Sequence, residues 1–481
     1  MSEVGQAGKS RSADTRSAPL GDEPAGGRGG SARSRLDRVR AVLAPLFPQA
    51  PQAPRSRGAA VIGRLADLVA VAAGAWILLE RQIGVPAWNS IWAEDHEIFL
   101  PGALLHPWSS LFQPYDGYLE LLPRLIAEGV ARLPLSDAAV AFALAGATIA
   151  SCCAVFVFHA CSGHVRTPAL RVLLAVSVLL LPTAIVEIAN SGVNSPWYVL
   201  FAVFWALLWR PRSRTGMAAA GLVCFAAASS NALAALYLPL VAARVIALPR
   251  LREQAATIGW LAGGALQLPV VLTLTRNHQP ASLVGALGFY GRIVILPAVA
   301  GHHLALQLWA GIGLTGAMML AGFIVAVAVT WGCLRCGTQA RALVIAAVIL
   351  AIVLAFVPLL VHGDVTTDAF SRTDIYVHGS RYGQVPILLI DSAVIVAVDA
   401  YLRRGGVRFV RVAHVVAVVL LVAVLGTSWV SDYRYVNKRS TLTPWSHTVA
   451  RVEHRCRQDP LRPVHVLLIY LPCSKVHGLR F

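Results

Sequence analysis

Charge is scarce in this sequence. Asp, Glu, Lys and Arg make up 14% of its 481 residues, against 57% hydrophobic. Soluble domains carry about a quarter charged residues, so the composition excludes an ordinary soluble chain. Acidic residues are the scarcer sign: 24 Asp and Glu stand against 41 Lys and Arg, a net charge of +17. Stretches of strict polar–apolar alternation are missing, which argues against a β-barrel. Cys333-Leu-Arg-Cys336 has no second CxxC pair. A zinc or dithiol site needs more ligands or a redox domain around it, so these cysteines read as structural. Cys152, Cys153, Cys161 and Cys224 lie in or beside apolar runs and read as small core residues. The first thirty residues lack the basic-then-apolar order of a cleaved signal peptide. An internal repeat of the kind that marks many transporters is also missing.

Long apolar runs are abundant instead. From residue 61 to 430, stretches long enough to cross a bilayer as helices recur. The reading is an all-α polytopic membrane protein with about 11 transmembrane helices. They fall near 63–83, 137–160, 169–189, 196–210, 216–229, 232–248, 255–275, 312–332, 341–361, 384–402 and 411–430. Residues 1–60 hold ten Lys/Arg and five Asp/Glu among Gly, Pro, Ser and Ala. They read as a disordered basic tail, with "LDRVRAVLAPLF" at 36–47 as a short amphipathic piece for the membrane surface. Residues 431–481 read as a small C-terminal domain.

The basic residues cluster in short loops: Arg166 and Arg171; Arg210, Arg212 and Arg214; Arg244, Arg250 and Arg252; Arg335 and Arg341; Arg403, Arg404, Arg408 and Arg411. That distribution reads as orientation in the membrane rather than nucleic-acid binding. All five clusters share one side only if 291–311, interrupted by Pro297, Gly301, His302 and His303, does not cross. The expectation is an N-terminus inside, a C-terminus outside, and a loop 84–136 on the outer face.

That loop holds "IWAEDHEIFLP" at 91–101. Glu94, Asp95 and Glu97 crowd beside His96 and apolar rings. Crowding and lost solvation raise carboxylate pKa values and often mark acid–base or metal chemistry; a solvated loop is the bland alternative. Oxygen ligands of this kind suit Mg²⁺ or Mn²⁺, but two would come from adjacent positions, and no metal is assigned.

The acidic pair after the first span resembles the GT-C glycosyltransferases, and more closely a group of actinobacterial-type membrane proteins of that layout. The matching pieces are "WAEDHEIFLPGAL", "YDGYLELLPRLIA", "VEIANSGVNSPWYVLFAVFWALLWRP", "SSNALAALYLPLVAAR" and "SRYGQVP", over about 76–475. His96 stands where a small residue, often glycine, is expected. The resemblance implies a multi-pass bacterial plasma-membrane transferase that takes a sugar from a polyprenyl-phosphate donor. A first-loop carboxylate, Asp95 with Glu94 beside it, would be the base. Arg124, His302, His303, Arg372 and Arg381 are the outer-side candidates for the donor phosphate, because inverting transfer needs a base and a stabilised leaving group.

Each has a plainer reading. Arg124 sits at helical spacing from Glu120 and Glu128. The two histidines could be interfacial. Arg372 and Arg381 share a loop with Asp364, Asp368 and Asp374. Glu187, near the outer end of its span, is a functional candidate by its depth, lining a cavity with Asn190, Asn194 and Trp197, or a carboxylate reaching for the headgroups. A transporter or flippase for a lipid-linked or polar substrate, and a non-catalytic scaffold, are the competing functions. Finally, "WSHTVARVEHRCRQ" reads as a helix and "VHVLLIYLP" as a buried strand. Together they form an α/β tail in which Cys456 and Cys473 can pair in an oxidising compartment.

Overall fold

The computed structural model describes residues 28–49, 56–273, 281–361, 379–403, 408–434, 436, 438–459, 464–466, 469–471 and 473–475. The described residues are dominated by helix. In chain order the α-helices are α1 (Arg28–Leu43), α2 (Arg57–Glu80), α3 (Leu100–Leu105), α4 (Leu121–Val130), α5 (Ala138–Ala160), α6 (Pro168–Leu180), α7 (Ala184–Glu187), α8 (Ser195–Leu208) and α9 (Arg214–Ser230). They continue as α10 (Leu238–Ala247), α11 (Ala255–Thr273), α12 (Leu283–Tyr290), α13 (Leu296–Val299), α14 (His302–Arg335), α15 (Thr338–Val361), α16 (Arg381–Leu402), α17 (Arg408–Ser431) and α18 (Trp445–Gln458). Among the described residues seven segments are long and apolar enough to cross a membrane: Arg57–Glu80, Leu135–Gly163, Pro168–Glu187, Ala255–Thr273, His302–Arg335, Thr338–Leu359 and Arg381–Leu402. This is a helical membrane protein. Four apolar segments are shorter, among them Ser195–Leu208 and Leu283–Val299.

The core is built on two helices. Every residue of α8 is buried, as its sequence "SPWYVLFAVFWALL", apolar all round, requires. In α16, each residue from Tyr382 to Ala393 is buried. The helices α5 and α9 pack on α8, and α15 packs along α16. Helices α9 and α11 meet through small residues. A Cβ at Gly259 would fall on the carbonyl oxygen of Gly221, and one at Gly263 would crowd the carbonyl of Phe225. Gly259 and Gly263 are four residues apart, so both lie on one face. Membrane helices approach closely where such a stripe removes the side chains between them.

Arg244, read as a loop charge, serves the interior. Only 1% exposed, it donates to the carbonyls of Leu207, Trp209 and Glu253. It satisfies the C-terminal carbonyls of α8, which have no partner within their own helix. Arg81 does the same for α6, donating to Leu179 O at 2.7 Å and Leu181 O at 3.1 Å.

Part of the stretch expected as a tail, residues 28–49, packs on the bundle. Helix α1 lies against α10, with Arg40 Nε donating to Ile246 O at 3.1 Å, and Phe47 is buried in the main core. The stretch 291–311 is broken rather than one helix. One wide turn over Gly291–Ile295 leads into α13, the chain leaves helix at Ala300, and α14 is bent at Gly313, whose φ is +75°.

The C-terminal segment packs on the loop 84–136. Trp445, Val449, Val452, Cys456 and Cys473 share a core with Ile91, Phe99, Leu100, Leu135 and Phe142. Trp445 Nε1 donates to Leu135 O at 2.8 Å. Cys456 and Cys473 are disulfide-bonded, with Cα atoms 5.8 Å apart. Strands β1 (Val464–Val466) and β2 (Ile469–Leu471) pair antiparallel, Val464 opposite Leu471.

The α9–α11 contact makes a direct test. Gly259→Ala should destabilise by about 1–3 kcal/mol through overpacking. Gly264→Ala, whose Cβ meets nothing within 4 Å, should be neutral or stabilising. Thermal unfolding of the two variants in detergent checks this; equal midpoints would refute the close approach.

Candidate functional site

The chain that leaves α2 is irregular over residues 81–92 apart from one turn at Ala87–Asn89, runs into a wide helical turn over Asp95–Phe99, and lies against a second irregular segment, 188–194. Buried backbone N–H and C=O groups must find partners, and two charged side chains supply several of them. Asp95, 1% exposed, accepts from Ser191 Oγ at 2.9 Å, Gly192 N at 3.0 Å and Val193 N at 2.7 Å. Gly192 is required there, because a Cβ would sit 2.9 Å from Asp95 Oδ1. Arg439, 2% exposed, donates to the carbonyls of Ala87, Ser90, Ala189 and Asn190 and to Ser90 Oγ. The carboxylate takes the N–H groups, the guanidinium takes the C=O groups, and each offsets the other's charge. Burial pushes the Asp95 carboxyl up to about 6, against the Ser191 bond, the Arg439 charge and the two backbone bonds that pull it down.

The expected base is therefore fully engaged in holding two segments together. Its neighbour is not. Ala93, at φ +31°, turns the chain so that Glu94 lines a cavity of about 570 Å³. Among the described residues the Glu94 carboxylate makes no hydrogen bond. A left-handed backbone at an alanine costs energy and is retained where the surroundings enforce it. His96 is buried, its pKa lowered to about 4 by loss of solvation, and it lies 3.5 Å from Glu97. Burial, then the charge of Glu94, raises Glu97.

The far wall of the cavity comes from "YDGYLE". Tyr115 and Tyr118 exchange backbone hydrogen bonds at 2.8 and 3.0 Å, with Asp116 and Gly117 at φ +46° and +83°. This is the two-residue Asp-Gly hairpin turn that needs positive φ at both central positions. It presents Tyr115, Asp116 and Tyr118 to the cavity. Glu120, at φ +52°, lines it too, with Oε2 buried and unpartnered. Burial, opposed by Arg124 and Arg381, raises the Glu120 carboxyl well above its usual range. Asn194, Trp197, Asn231, Arg381 and Tyr382 complete the polar and aromatic lining. The rings of Trp197 and Tyr382 meet edge-on at 5.5 Å.

A second hollow of about 410 Å³ adjoins the first, sharing Asn231, Ala232, Ala235 and Val271. Its other walls are Ala228, Ala234, Trp260, Leu261, Gly264, Ala265, Gln267 and Leu268. It is apolar apart from Asn231, the Trp260 indole and Gln267, whose Oε1 accepts from Leu119 N at 2.9 Å.

Of the residues expected at the site, Glu94 and Arg381 line the cavity. Arg124 stands behind it: its Nε donates to Leu119 O at 3.3 Å, its guanidinium lies over Phe99, and Glu120 is its nearest opposing charge. Glu128, its other expected partner, instead pairs with Arg132 at 3.2 Å. Glu187 does not reach the cavity. Its two oxygens accept from the backbone N–H groups of Gly379 and Arg381, each at 3.0 Å, capping the start of α16. A carboxylate there satisfies donors with no partner in the helix and complements its dipole. His302 and His303 open α14 away from the cavity. His302 N donates to Asp432 Oδ2 at 2.6 Å, and His303 is exposed beside Gln307. Arg372 lies outside the described residues. Among the described residues no three His, Cys, Asp or Glu side chains gather as metal ligands.

Tyr115, Asp116, Tyr118 and Glu120 were not singled out as site residues. The Asp-Gly turn between two tyrosines was the available signal for them. No family model, curated protein or solved structure matches the chain.

Asp95→Asn should lower stability by about 1–3 kcal/mol, because the amide cannot accept from all three donors and Arg439 loses its counter-charge. Glu94→Gln, with no bond to lose, should stay within about 0.5 kcal/mol of the parent. Thermal unfolding separates them; matching losses would place both carboxylates in the scaffold.

Proposed function

We propose that this protein is a GT-C-type glycosyltransferase that uses a polyprenyl-phosphate sugar at the outer face of a bacterial plasma membrane. The observation that carries the reading is the convergence of Glu94 and Arg381 on one polar, aromatic-walled cavity that adjoins an apolar hollow along the membrane-length helix α11. A lipid-linked sugar has that same division between a polar head and an apolar chain. Aromatic faces suit the C–H faces of a sugar ring. Arg381 is planar and always charged, which suits a phosphate.

In this reading Glu94, rather than Asp95, is the base. Glu94 removes the proton from the acceptor hydroxyl as that oxygen attacks the anomeric carbon. The bond from that carbon to the phosphate oxygen breaks, and the polyprenyl phosphate leaves with the electron pair beside Arg381. One displacement inverts the anomeric centre. Asp95 and Arg439 act on the reaction only by fixing the backbone that carries Glu94.

The orientation belongs to the same proposal: about eleven crossings, the N-terminus cytoplasmic, and the loop 84–136 and the α/β tail 431–481 outside. The arginine clusters support it through the positive-inside rule. Reporter fusions after residues 311, 336 and 440 should read outside, inside and outside; an outside signal at 336 would overturn the topology.

Glu94→Gln should insert normally and lose about 10²–10⁴-fold in transfer rate, the usual worth of a general base. Transfer from a synthetic short-chain polyprenyl-phosphate hexose, followed by mass spectrometry, is the readout. Full activity in Glu94→Gln would remove the base from this position.

A further inference from the structure

The second hollow, of about 410 Å³, differs from the first in what its walls offer a ligand. Among the described residues no charged side chain lines it. Its polar side chains are Asn231, Gln267 and the Trp260 indole, and Trp260 Nε1 is spent on Ala234 O at 2.9 Å. The two amides are buried, at 9% and 4% exposure, and both are fixed in orientation. Leu233 N donates to Asn231 Oδ1 at 2.9 Å, and Leu119 N donates to Gln267 Oε1 at 2.9 Å. A backbone N–H can bond only the oxygen of an amide, never its nitrogen. Each side chain is thereby left with its NH2 group, and neither nitrogen has an acceptor among the described residues. Buried donors without acceptors are costly.

These donors sit where the two hollows join. Asn231 lines both, as do Ala232, Ala235 and Val271. Gln267 is one turn of α11 before Val271. One short stretch of chain ties the two amides together: Gln267 takes Leu119 N, and Ser230 Oγ, next to Asn231, takes Leu122 N at 2.8 Å. Away from the junction the walls are hydrocarbon and small residues, among them Ala228, Ala234, Leu261, Gly264 and Leu268. From Gln267 to Trp260 the hollow follows α11 for seven residues, about 10 Å, toward the middle of the membrane-length segment Ala255–Thr273. Leu261 and Leu268 are each more than half exposed, so that end borders the surface a bilayer would cover. The hollow thus has donors at one end and apolar walls along the rest.

We propose that the second hollow seats the lipid end of the ligand, a single hydrocarbon chain ending in a phosphate, with Asn231 Nδ2 and Gln267 Nε2 donating to phosphate oxygens at the junction and the chain lying along α11 toward Trp260. This rests on the transferase reading of the first cavity and names the side chains that hold the donor's lipid phosphate. An ionised phosphate ester offers acceptors alone, which matches two amides whose unspent groups are all N–H. Arg381 lines the first cavity together with Asn231 and supplies the positive charge that the amides lack. The free alcohol of the same chain brings one oxygen and no charge. A diacyl phospholipid brings two chains to one hollow.

The test is calorimetric binding to the full-length protein in detergent, with farnesyl phosphate, farnesol and dihexanoyl phosphatidate as probes. Farnesyl phosphate should bind about tenfold or more tightly than farnesol, the worth of hydrogen bonds to a charged group. Asn231→Asp and Gln267→Glu keep the oxygens that Leu233 N and Leu119 N need and remove the NH2 groups. Each should weaken farnesyl phosphate about tenfold and leave farnesol unchanged. Phosphate binding that neither variant weakens would overturn the amide assignment while leaving a lipid-phosphate donor standing. Equal loss of farnesyl phosphate and farnesol would mark the amides as structural and overturn it too. Equal affinity of the wild type for those two probes would sink both the assignment and the donor. Tighter binding of phosphatidate than of farnesyl phosphate would make the hollow a phospholipid site and refute the single chain. Should the variants fail to fold, farnesyl phosphate carrying a diazirine on its last isoprene unit decides on the wild type. Labelled peptides from residues 260–268 uphold the proposal; labelling confined to other helices overturns it.

Discussion

The site depends on one constraint: irregular backbone inside a membrane protein must have its hydrogen bonds satisfied by protein. Unpaired N–H and C=O groups away from water cost several kcal/mol each. Residues 81–92 and 188–194 are largely irregular and packed together, so neither can complete its bonding within a helix. Asp95 and Arg439 resolve this with opposite charges. One accepts from Ser191, Gly192 and Val193; the other donates to Ala87, Ser90, Ala189 and Asn190. Remove either and the other becomes a buried charge without its counterpart.

This pair also explains how the C-terminal segment bears on the cavity. Arg439 comes from beyond α17, some 340 residues after the loop it holds. The disulfide Cys456–Cys473 and the Trp445 core then clamp α18 against the same loop. The cavity wall carrying Glu94 is thus fixed from below by Asp95 and from outside by the tail. Glu187 adds a third tie by capping α16 at Arg381, so that Glu94 and Arg381, which line the cavity, are each set by a carboxylate that does not line it.

That division of labour separates neighbours that look alike in sequence. Glu94 and Asp95 are adjacent carboxylates in an acid-poor chain, and both invite a catalytic reading. Burial and bonding tell them apart: three donors converge on Asp95, none on Glu94. The same holds for arginines. Arg244 looks like a topogenic loop charge, yet it is buried and closes a helix C-terminus, as Arg81 does. A buried guanidinium with several carbonyl partners is a structural element whatever its place along the chain.

Composition and run length by themselves determined that this is a helical membrane protein, because apolar runs near 20 residues have no other stable home. The sequence also carried the outline of the site: the acidic cluster after the first span, the Asp-Gly turn between tyrosines, and the Arg at the head of "SRYGQVP". Local chemistry fixes each of these. Tertiary structure alone decided which carboxylate faces the cavity, that Glu187 is a cap, that His302 and His303 stand apart from Glu94, and that α1 lies against α10. Each of these depends on partners dozens to hundreds of residues away: Ser191 to Val193 for Asp95, Gly379 for Glu187, Asp432 for His302, and Ile246 for Arg40. Hydrogen-bond partners at that separation leave no periodicity or spacing in the chain, so only the packed fold assigns them.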